Sequence, residues 1–194
     1  HVKNLQSFGQ TVVIAFNKFA TDTDEEIEVL RKHCEEMGCG FAVNSAFAEG
    51  GNGAIELANL VVKTIDERPS APLYFAYDDN DSVEEKIEKV AFNLYGAGSV
   101  TLSDSAKAMI EEIKKLGAEK FPICIAKTQY SFSTDAKAYG PTEGFELHVR
   151  DITVNMGAEM IVVIAGPIMR MPGLPKSPQA ERIDVVNGEI TGLS

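Results

Sequence analysis

The sequence has no tryptophan, only three cysteines, and far fewer basic than acidic residues. Its 194 residues include 18 Lys plus Arg against 29 Asp plus Glu, which gives a formal net charge of −11. Because nucleic acids are bound through clusters of Lys and Arg, this balance argues against a nucleic acid as the main partner. It does not exclude an anionic small molecule, since a local group of backbone amides can oppose the overall charge.

The few cysteines and the short apolar runs argue against a disulfide-rich, zinc-binding or membrane-spanning protein. Cys34, Cys39 and Cys124 have no CxxC spacing, so neither a disulfide framework nor a zinc knuckle is indicated. We expect buried or half-buried thiols in a reducing compartment. No stretch approaches the roughly 18 uninterrupted apolar residues of a membrane span, and residues 1–10 lack the apolar core of a signal peptide. The sequence therefore predicts a cytoplasmic protein without a membrane partner.

Apolar segments alternate with amphipathic segments through the first two thirds of the chain. The pattern predicts strands at 11–16, 39–45, 72–77, 99–102 and 121–126. It predicts helices at 24–37, 54–66, 83–94 and 104–116. Strands that alternate with helices of this length indicate an α/β fold, here a mainly parallel sheet flanked by helices.

The last third of the chain has a different pattern. A polar loop at 127–141 precedes two predicted strands at 145–155 and 159–165, and a proline-rich segment follows. Asn187-Gly188 predicts a hairpin turn. We expect two parts: residues 1–69 as the end of a parallel α/β domain, and residues 70–194 as a mixed α/β C-terminal domain.

Two aromatic residues, Phe19 and Phe47, follow the first two predicted strands. Ligands of open α/β sheets bind beyond the carboxyl ends of the strands, so we expect both rings in one crevice. Parallel strands lie about 4.8 Å apart if adjacent and about 10 Å apart if one strand intervenes. At the larger spacing two rings can hold a flat heterocycle between them. Burial of both rings in the core is the alternative that the sequence leaves open.

Three other segments are weaker candidates. The glycine-rich segment 47–53 either brings backbone amides to an anion or is a plain loop, and it matches neither GxxxxGK[ST] nor GxGxxG. The polar loop 127–133 either positions a polar substrate or is simply solvated. Asn17-Lys18 is similar to part of the guanine-binding motif of GTPases, but Ala20 stands where that motif needs an acid. The three histidines form no Ser–His–Asp pattern and no metal-ligand pattern.

Five strings in order resemble one known family, formate–tetrahydrofolate ligase. They are NKFATDT at 17–23, FAEGGNGAIELA at 47–58, KTQYSFS at 127–133, MPGLPK at 171–176, and a close match across 183–193. The resemblance covers the whole chain but only about the last third of the family's length. It implies a ligase that phosphorylates formate with MgATP and transfers the formyl group from formyl phosphate to N10 of tetrahydrofolate.

The resemblance also implies site residues. The pterin is expected between Phe19 and Phe47, where many members have Trp at the second position. Further contacts with substrate or nucleotide are expected at Asn17, Lys18, Lys127, Gln129, Tyr130, Pro172 and Gly173. No catalytic residue and no metal ligand is expected in this chain.

The family's P-loop, the threonine that coordinates magnesium and the arginine that binds formyl phosphate would lie upstream of His1. ATP and Mg²⁺ are therefore expected to bind mainly outside this chain, in a larger P-loop-type α/β enzyme that forms a homo-oligomer. The chain alone is then an inactive fragment whose partner is the missing N-terminal part. The alternative is a free-standing folate- or partner-binding module without catalysis. An uncovered apolar face near 11–16 would favour the fragment.

Overall fold

The computed structural model describes residues 1–168 and 176–192, and its first part is built on two parallel strands. Its elements in chain order are α1 (Val2–Ser7), β1 (Val13–Asn17), α2 (Asp24–Glu36), β2 (Gly40–Asn44), α3 (Ala46–Glu49), a 3₁₀ helix (Gly50–Ala54) and α4 (Ile55–Glu67). β1 pairs in parallel with β2, from Val13 opposite Gly40 to Asn17 opposite Asn44. No other described strand joins this pair.

Local sequence signals set the ends of α2, the helix that connects these two strands. Thr23 accepts a hydrogen bond from the Glu26 amide, and the Glu26 carboxylate accepts one from the Thr23 amide, which forms a capping box. The helix ends at Gly38, whose φ of 71° is left-handed. The amide of Cys39 then donates to the carbonyl of Cys34, and both thiols pack with Val12 in a small core. Burial raises the pKa of Cys34.

The second part is a four-stranded sheet covered by two helices. Its elements are α5 (Val83–Val90), a π-helical turn (Ala91–Tyr95), β3 (Ser99–Leu102), α6 (Asp104–Leu116), β4 (Ile123–Ala126), β5 (Glu146–Asn155) and β6 (Met160–Ala165). The strand order is β3-β5-β6-β4. The main core joins Ile87 of α5 and Ile110 of α6 to Val149, Ile152 and Ile161 of the sheet. A hairpin of β7 (Asp184–Val186) and β8 (Glu189–Thr191) follows.

The prediction of an α/β fold with helices on the sheets is confirmed, but the sheet is less uniformly parallel than expected. β3 pairs with β5 in parallel, and β4 pairs with β6 in parallel, whereas β5 and β6 are antiparallel. Only the short 3₁₀ turn Met156–Ala158 and Glu159, at φ 50°, connect β5 to β6. A connection this short cannot return the chain for parallel pairing, which needs a crossover of a dozen or more residues.

Three smaller predictions are wrong. Residues 72–77 form no strand; instead the Tyr74 amide donates to the carbonyl of Phe8, and the segment runs beside residues 8–10. The glycine-rich segment 47–53 is helical rather than a loop. Cys124 is exposed, on the opposite face of β4 from the half-buried Ile123 and Ile125.

The predicted hairpin is confirmed, with Asn187 at φ 52° and Gly188 at φ 83° in its turn. Most of the proline-rich segment lies outside the described residues. Among the helices of the described ranges, none is both long enough and apolar enough to cross a membrane.

Lys86 is a fully buried lysine in α5. Its ammonium group donates to the carbonyl of Glu119 at 2.6 Å and to that of Phe121 at 3.2 Å, and it lies 5.7 Å from the centre of the Tyr77 ring. Burial lowers the pKa of this lysine. The side chain thus ties α5 to the turn between α6 and β4.

We expect Lys86→Ala to lower the free energy of unfolding by about 3 kcal/mol, since it opens a cavity and leaves two carbonyls without donors. Urea unfolding of the substituted and unsubstituted protein measures this difference. Lys115→Ala removes an exposed lysine from α6 and serves as the control, with no measurable change expected. Equal stability of the two variants would contradict a structural role of Lys86.

Candidate functional site

The structure brings Phe19 and Phe47 into contact at the carboxyl ends of β1 and β2. Their ring centroids are 6.1 Å apart, and the ring planes are inclined by 50°. Phe19 is 56% exposed and Phe47 is 88% exposed, so the alternative that both rings are core is wrong for the described structure. The two strands are adjacent, so the shorter of the two predicted strand spacings applies. A flat ring between two parallel phenyl rings needs about 7 Å, so this pair has to open and rotate slightly to admit one.

The position of Phe19 is set by a turn that Asp22 closes. The Phe19 amide donates to Oδ2 of Asp22 at 2.7 Å, and the Asp22 amide donates to the Phe19 carbonyl at 3.1 Å. The Lys18 amide extends the ladder between the strands by donating to the carbonyl of Asn44 at 3.0 Å. The backbone before and after Phe19 is therefore fixed.

The position of Phe47 is set by the close approach of Gly53 to the turn before it. The Ser45 amide donates to the Gly53 carbonyl at 3.0 Å, and the amides of Ala48 and Glu49 both donate to the Ser45 carbonyl. A Cβ atom on Gly53 would lie only 2.5 Å from the carbonyl carbon of Ser45 and 2.8 Å from the amide nitrogen of Ala46. Only glycine fits here without movement of the backbone that carries Phe47.

Two other predicted site residues lie beside the rings but are already partnered. Oδ1 of Asn17 accepts from Nδ2 of Asn44 at 2.8 Å, which links the two strand ends. Lys18 has its ammonium nitrogen 3.4 Å from Oδ1 of Asp24 in a largely exposed ion pair. Asn17 therefore links the two strand ends, and Lys18 is half-buried beside it.

The remaining predicted residues follow β4 on the other sheet. The Lys127 ammonium donates to the carbonyls of Thr128 and Ser131 in its own loop, and it lies 4.7 Å from the centre of the Tyr95 ring. Burial lowers the pKa of Lys127 and raises that of Tyr95. Gln129 and Tyr130 are exposed on the same loop. Hydrogen bonds and ring contacts in the described ranges do not join this loop to Phe19 or Phe47, and Pro172 and Gly173 lie outside those ranges.

Sequence reasoning missed an open groove of about 500 Å³ between β1 and α2. Phe16, Val29 and Leu30 supply its apolar walls, and the carboxylates of Asp22, Glu25 and Glu26 lie along it. A sequence signal for this groove exists on α2, where Glu25 and Glu26 are followed one helical turn later by Val29 and Leu30. Asp22 belongs both to this groove and to the turn that holds Phe19.

The site can stack a flat ring and accept hydrogen bonds from N–H donors. Within residues 1–168 and 176–192, no group of three or more His, Cys, Asp or Glu is arranged to hold a metal ion.

Comparison with known proteins decides the family. The sequence profile of formate–tetrahydrofolate ligase matches residues 1–194. The chain belongs to the formate–tetrahydrofolate ligase family. Similar members are the formate–tetrahydrofolate ligases of Bacteroides fragilis and Phocaeicola vulgatus, each 64% identical over 194 residues, and that of Campylobacter curvus, 48% identical over 197 residues. All of this chain is covered, but only 35% of the first two relatives and 36% of the third. The chain thus spans about a third of the length of the curated relatives it matches.

For this segment of a formate–tetrahydrofolate ligase family member, we expect Gly53→Ala to lower the free energy of unfolding by about 1–3 kcal/mol, because the new methyl group overlaps the Ser45–Ala46 peptide. Gly51→Ala is the matched control in the same 3₁₀ helix, since its Cβ would meet no atom within 4 Å. Chemical unfolding of both variants tests this. A Gly53→Ala protein as stable as Gly51→Ala would show that the close approach is not needed.

Proposed function

We propose that this chain forms the folate-binding wall of an ATP-dependent ligase that joins formate to tetrahydrofolate through formyl phosphate and yields 10-formyltetrahydrofolate. The observation that carries the proposal is the exposed pair Phe19 and Phe47 at adjacent strand ends. The family of the chain supports the reaction. In that reaction N10 of tetrahydrofolate attacks the formyl carbon, and phosphate leaves.

The ring pair suits a pterin because a pterin is flat, aromatic over part of its area and uncharged. Stacking between two phenyl rings removes apolar surface on both of its faces from water. A pterin that inserts between the two rings also buries much of the Phe47 side chain, which is 88% exposed without it. In this proposal, stacking on Phe19 and Phe47 holds the pterin ring in position for the reaction. The residues of this segment orient the folate and transfer no proton.

In this proposal ATP and Mg²⁺ bind on polypeptide outside this segment. The sequence contains no GxxxxGK[ST] motif, and the described residues do not provide a ligand cluster that fits a magnesium ion. Transfer of a phosphoryl group needs cationic groups aimed at the developing charge.

An outward stripe on α4 supports association with further polypeptide of the full-length protein. The inner side of α4 packs on the sheet through Leu60 and the buried Thr64. The outward stripe consists of Ile55 (54% exposed), the exposed Ala58, Val62 (59%) and Ile65 (62%). These residues follow one another at spacings of three, four and three, as on a helix face that packs against a partner.

The stripe favours the fragment over the free-standing module, although the uncovered face lies on α4 rather than near residues 11–16. In that segment Val12 is buried and Ile14 half-buried. Assembly into a homo-oligomer, the division of domains near residue 69 and the cytoplasmic location stay predictions.

We expect Phe19→Ala and Phe47→Ala in the full-length protein to raise the KM for tetrahydrofolate by about 5- to 100-fold each, because each change removes about 1–3 kcal/mol of stacking and burial. The KM values for formate and ATP should stay near their starting values. Phe47→Trp should lower the KM for tetrahydrofolate, since a larger ring covers more of the pterin. Steady-state kinetics with each substrate varied in turn gives these values.

Phe75→Ala is the control, since it removes an equally exposed phenylalanine from a different surface. It should leave all three KM values unchanged. If neither ring substitution changes the KM for tetrahydrofolate, the rings do not bind the pterin.

For the outward stripe, we expect Val62→Glu to lower the melting temperature of the full-length protein by several degrees, because it places a charge in a buried contact. Lys63→Glu changes a neighbouring exposed residue and should have little effect. Differential scanning calorimetry compares the two. Equal melting temperatures would mean that α4 faces solvent in the full-length protein.

A further inference from the structure

Asp22 has one oxygen committed to the protein and one that is not. Its Oδ2 accepts the Phe19 amide at 2.7 Å, while Oδ1 accepts no hydrogen bond from any residue in the described ranges. The side chain is half-buried and lines the groove of about 500 Å³ beside Phe16. A carboxylate has about four lone-pair sites, so the bond to Phe19 leaves acceptor capacity free.

The other two carboxylates of the groove are less well placed to bind a ligand. Oε2 of Glu26 accepts the amide of Thr23 in the capping box, so Glu26 serves the helix start. Glu25 is exposed, and its carboxylate makes no hydrogen bond or ion pair within the described ranges that would fix its rotamer. Ordering a free glutamate costs side-chain entropy, whereas Asp22 is already held by the turn that it closes.

The chemistry of a pterin matches such an acceptor. Its pyrimidine ring carries a ring N–H next to an exocyclic amino group, so one edge presents adjacent hydrogen-bond donors. A carboxylate oxygen has two lone pairs, so Oδ1 of Asp22 can accept from this edge while Oδ2 stays bonded to the Phe19 amide. Stacking on Phe19 fixes the plane of the ring, and an acceptor on the same turn can fix its rotation in that plane.

We propose that Asp22 is the residue that selects the 2-amino pterin ring, by accepting hydrogen bonds from its donor edge while it holds the Phe19 turn with its other oxygen. This inference rests on the proposed function, because it assigns the ligand of that same site. It assigns Asp22 to specificity and orientation and gives it no part in formyl transfer.

The test measures dissociation constants of the full-length protein for two probes, tetrahydrofolate and its analogue with methyl in place of the 2-amino group. The unsubstituted protein should bind tetrahydrofolate about 10- to 100-fold more tightly than the analogue, the range expected for hydrogen bonds to a charged acceptor. Asp22→Asn keeps an oxygen for the Phe19 amide but presents an amide donor to the ligand. We expect it to bind tetrahydrofolate about 10- to 100-fold more weakly and to lose most of the discrimination. Glu28→Gln removes a carboxylate elsewhere on α2 and should change neither constant.

The outcomes separate this inference from the proposed function. If tetrahydrofolate binding depends on Phe19 and Phe47 but Asp22→Asn keeps the discrimination, Asp22 is not the acceptor and the folate site stands. If Asp22→Asn binds normally and Asp22→Ala does not, Asp22 only holds the turn, and the inference is overturned. Loss of discrimination in Glu25→Gln but not in Asp22→Asn would assign the role to Glu25. If the unsubstituted protein does not bind tetrahydrofolate, both the inference and the proposed function fail.

Discussion

The parallel pairing of β1 with β2 is the interaction on which the candidate site depends. Five residue pairs hold the strands from Val13 and Gly40 to Asn17 and Asn44, so both strands end at the same level. The turns that follow then place Phe19 and Phe47 side by side. A slip of one residue would turn every side chain of one strand to the opposite face of the sheet. The side-chain hydrogen bond between Asn17 and Asn44 joins the two strand ends. A slip in register would break it.

The charges around the rings favour a neutral ring system with N–H donors over an anion. Asp22, Glu25 and Glu26 line the adjoining groove, and the chain as a whole has a net charge of −11. Lys127, which was expected to contact substrate or nucleotide, donates to carbonyls of its own loop. Lys18 is the cation nearest to the rings in sequence, and its ammonium is paired with Asp24. In the proposed folate complex, an anionic tail would gain little from these residues and would need partners elsewhere.

Much of this arrangement was predictable because it depends on local signals. Apolar runs and amphipathic segments placed β1, α2 and β2 within a few residues. The rule that ligands bind beyond the carboxyl ends of strands selected Phe19 and Phe47. Non-local facts were not predictable. Whether β1 and β2 are adjacent depends on pairing across 27 residues. Residues 72–77 have the composition of a strand, but the segment runs beside residues 8–10 and pairs with no described strand. The groove was missed because its walls come from β1 and α2 together, and periodicity within one element does not show it.

The backbones that carry Phe19 and Phe47 are both held by hydrogen bonds, and these bonds limit how far the two rings can separate. Phe19 is held on both sides by its reciprocal bonds with Asp22, so its backbone has little freedom. Phe47 belongs to the four-residue helix α3, which is held by backbone bonds to Ser45 and by the approach of Gly53. A flat ring between parallel phenyl rings needs about 1 Å more than the present 6.1 Å separation. The 3₁₀ helix that contains Gly53 leads directly into α4, whose outward stripe is exposed in this segment. Polypeptide that covers the stripe would restrain α4 and, through Gly53, the turn before Phe47.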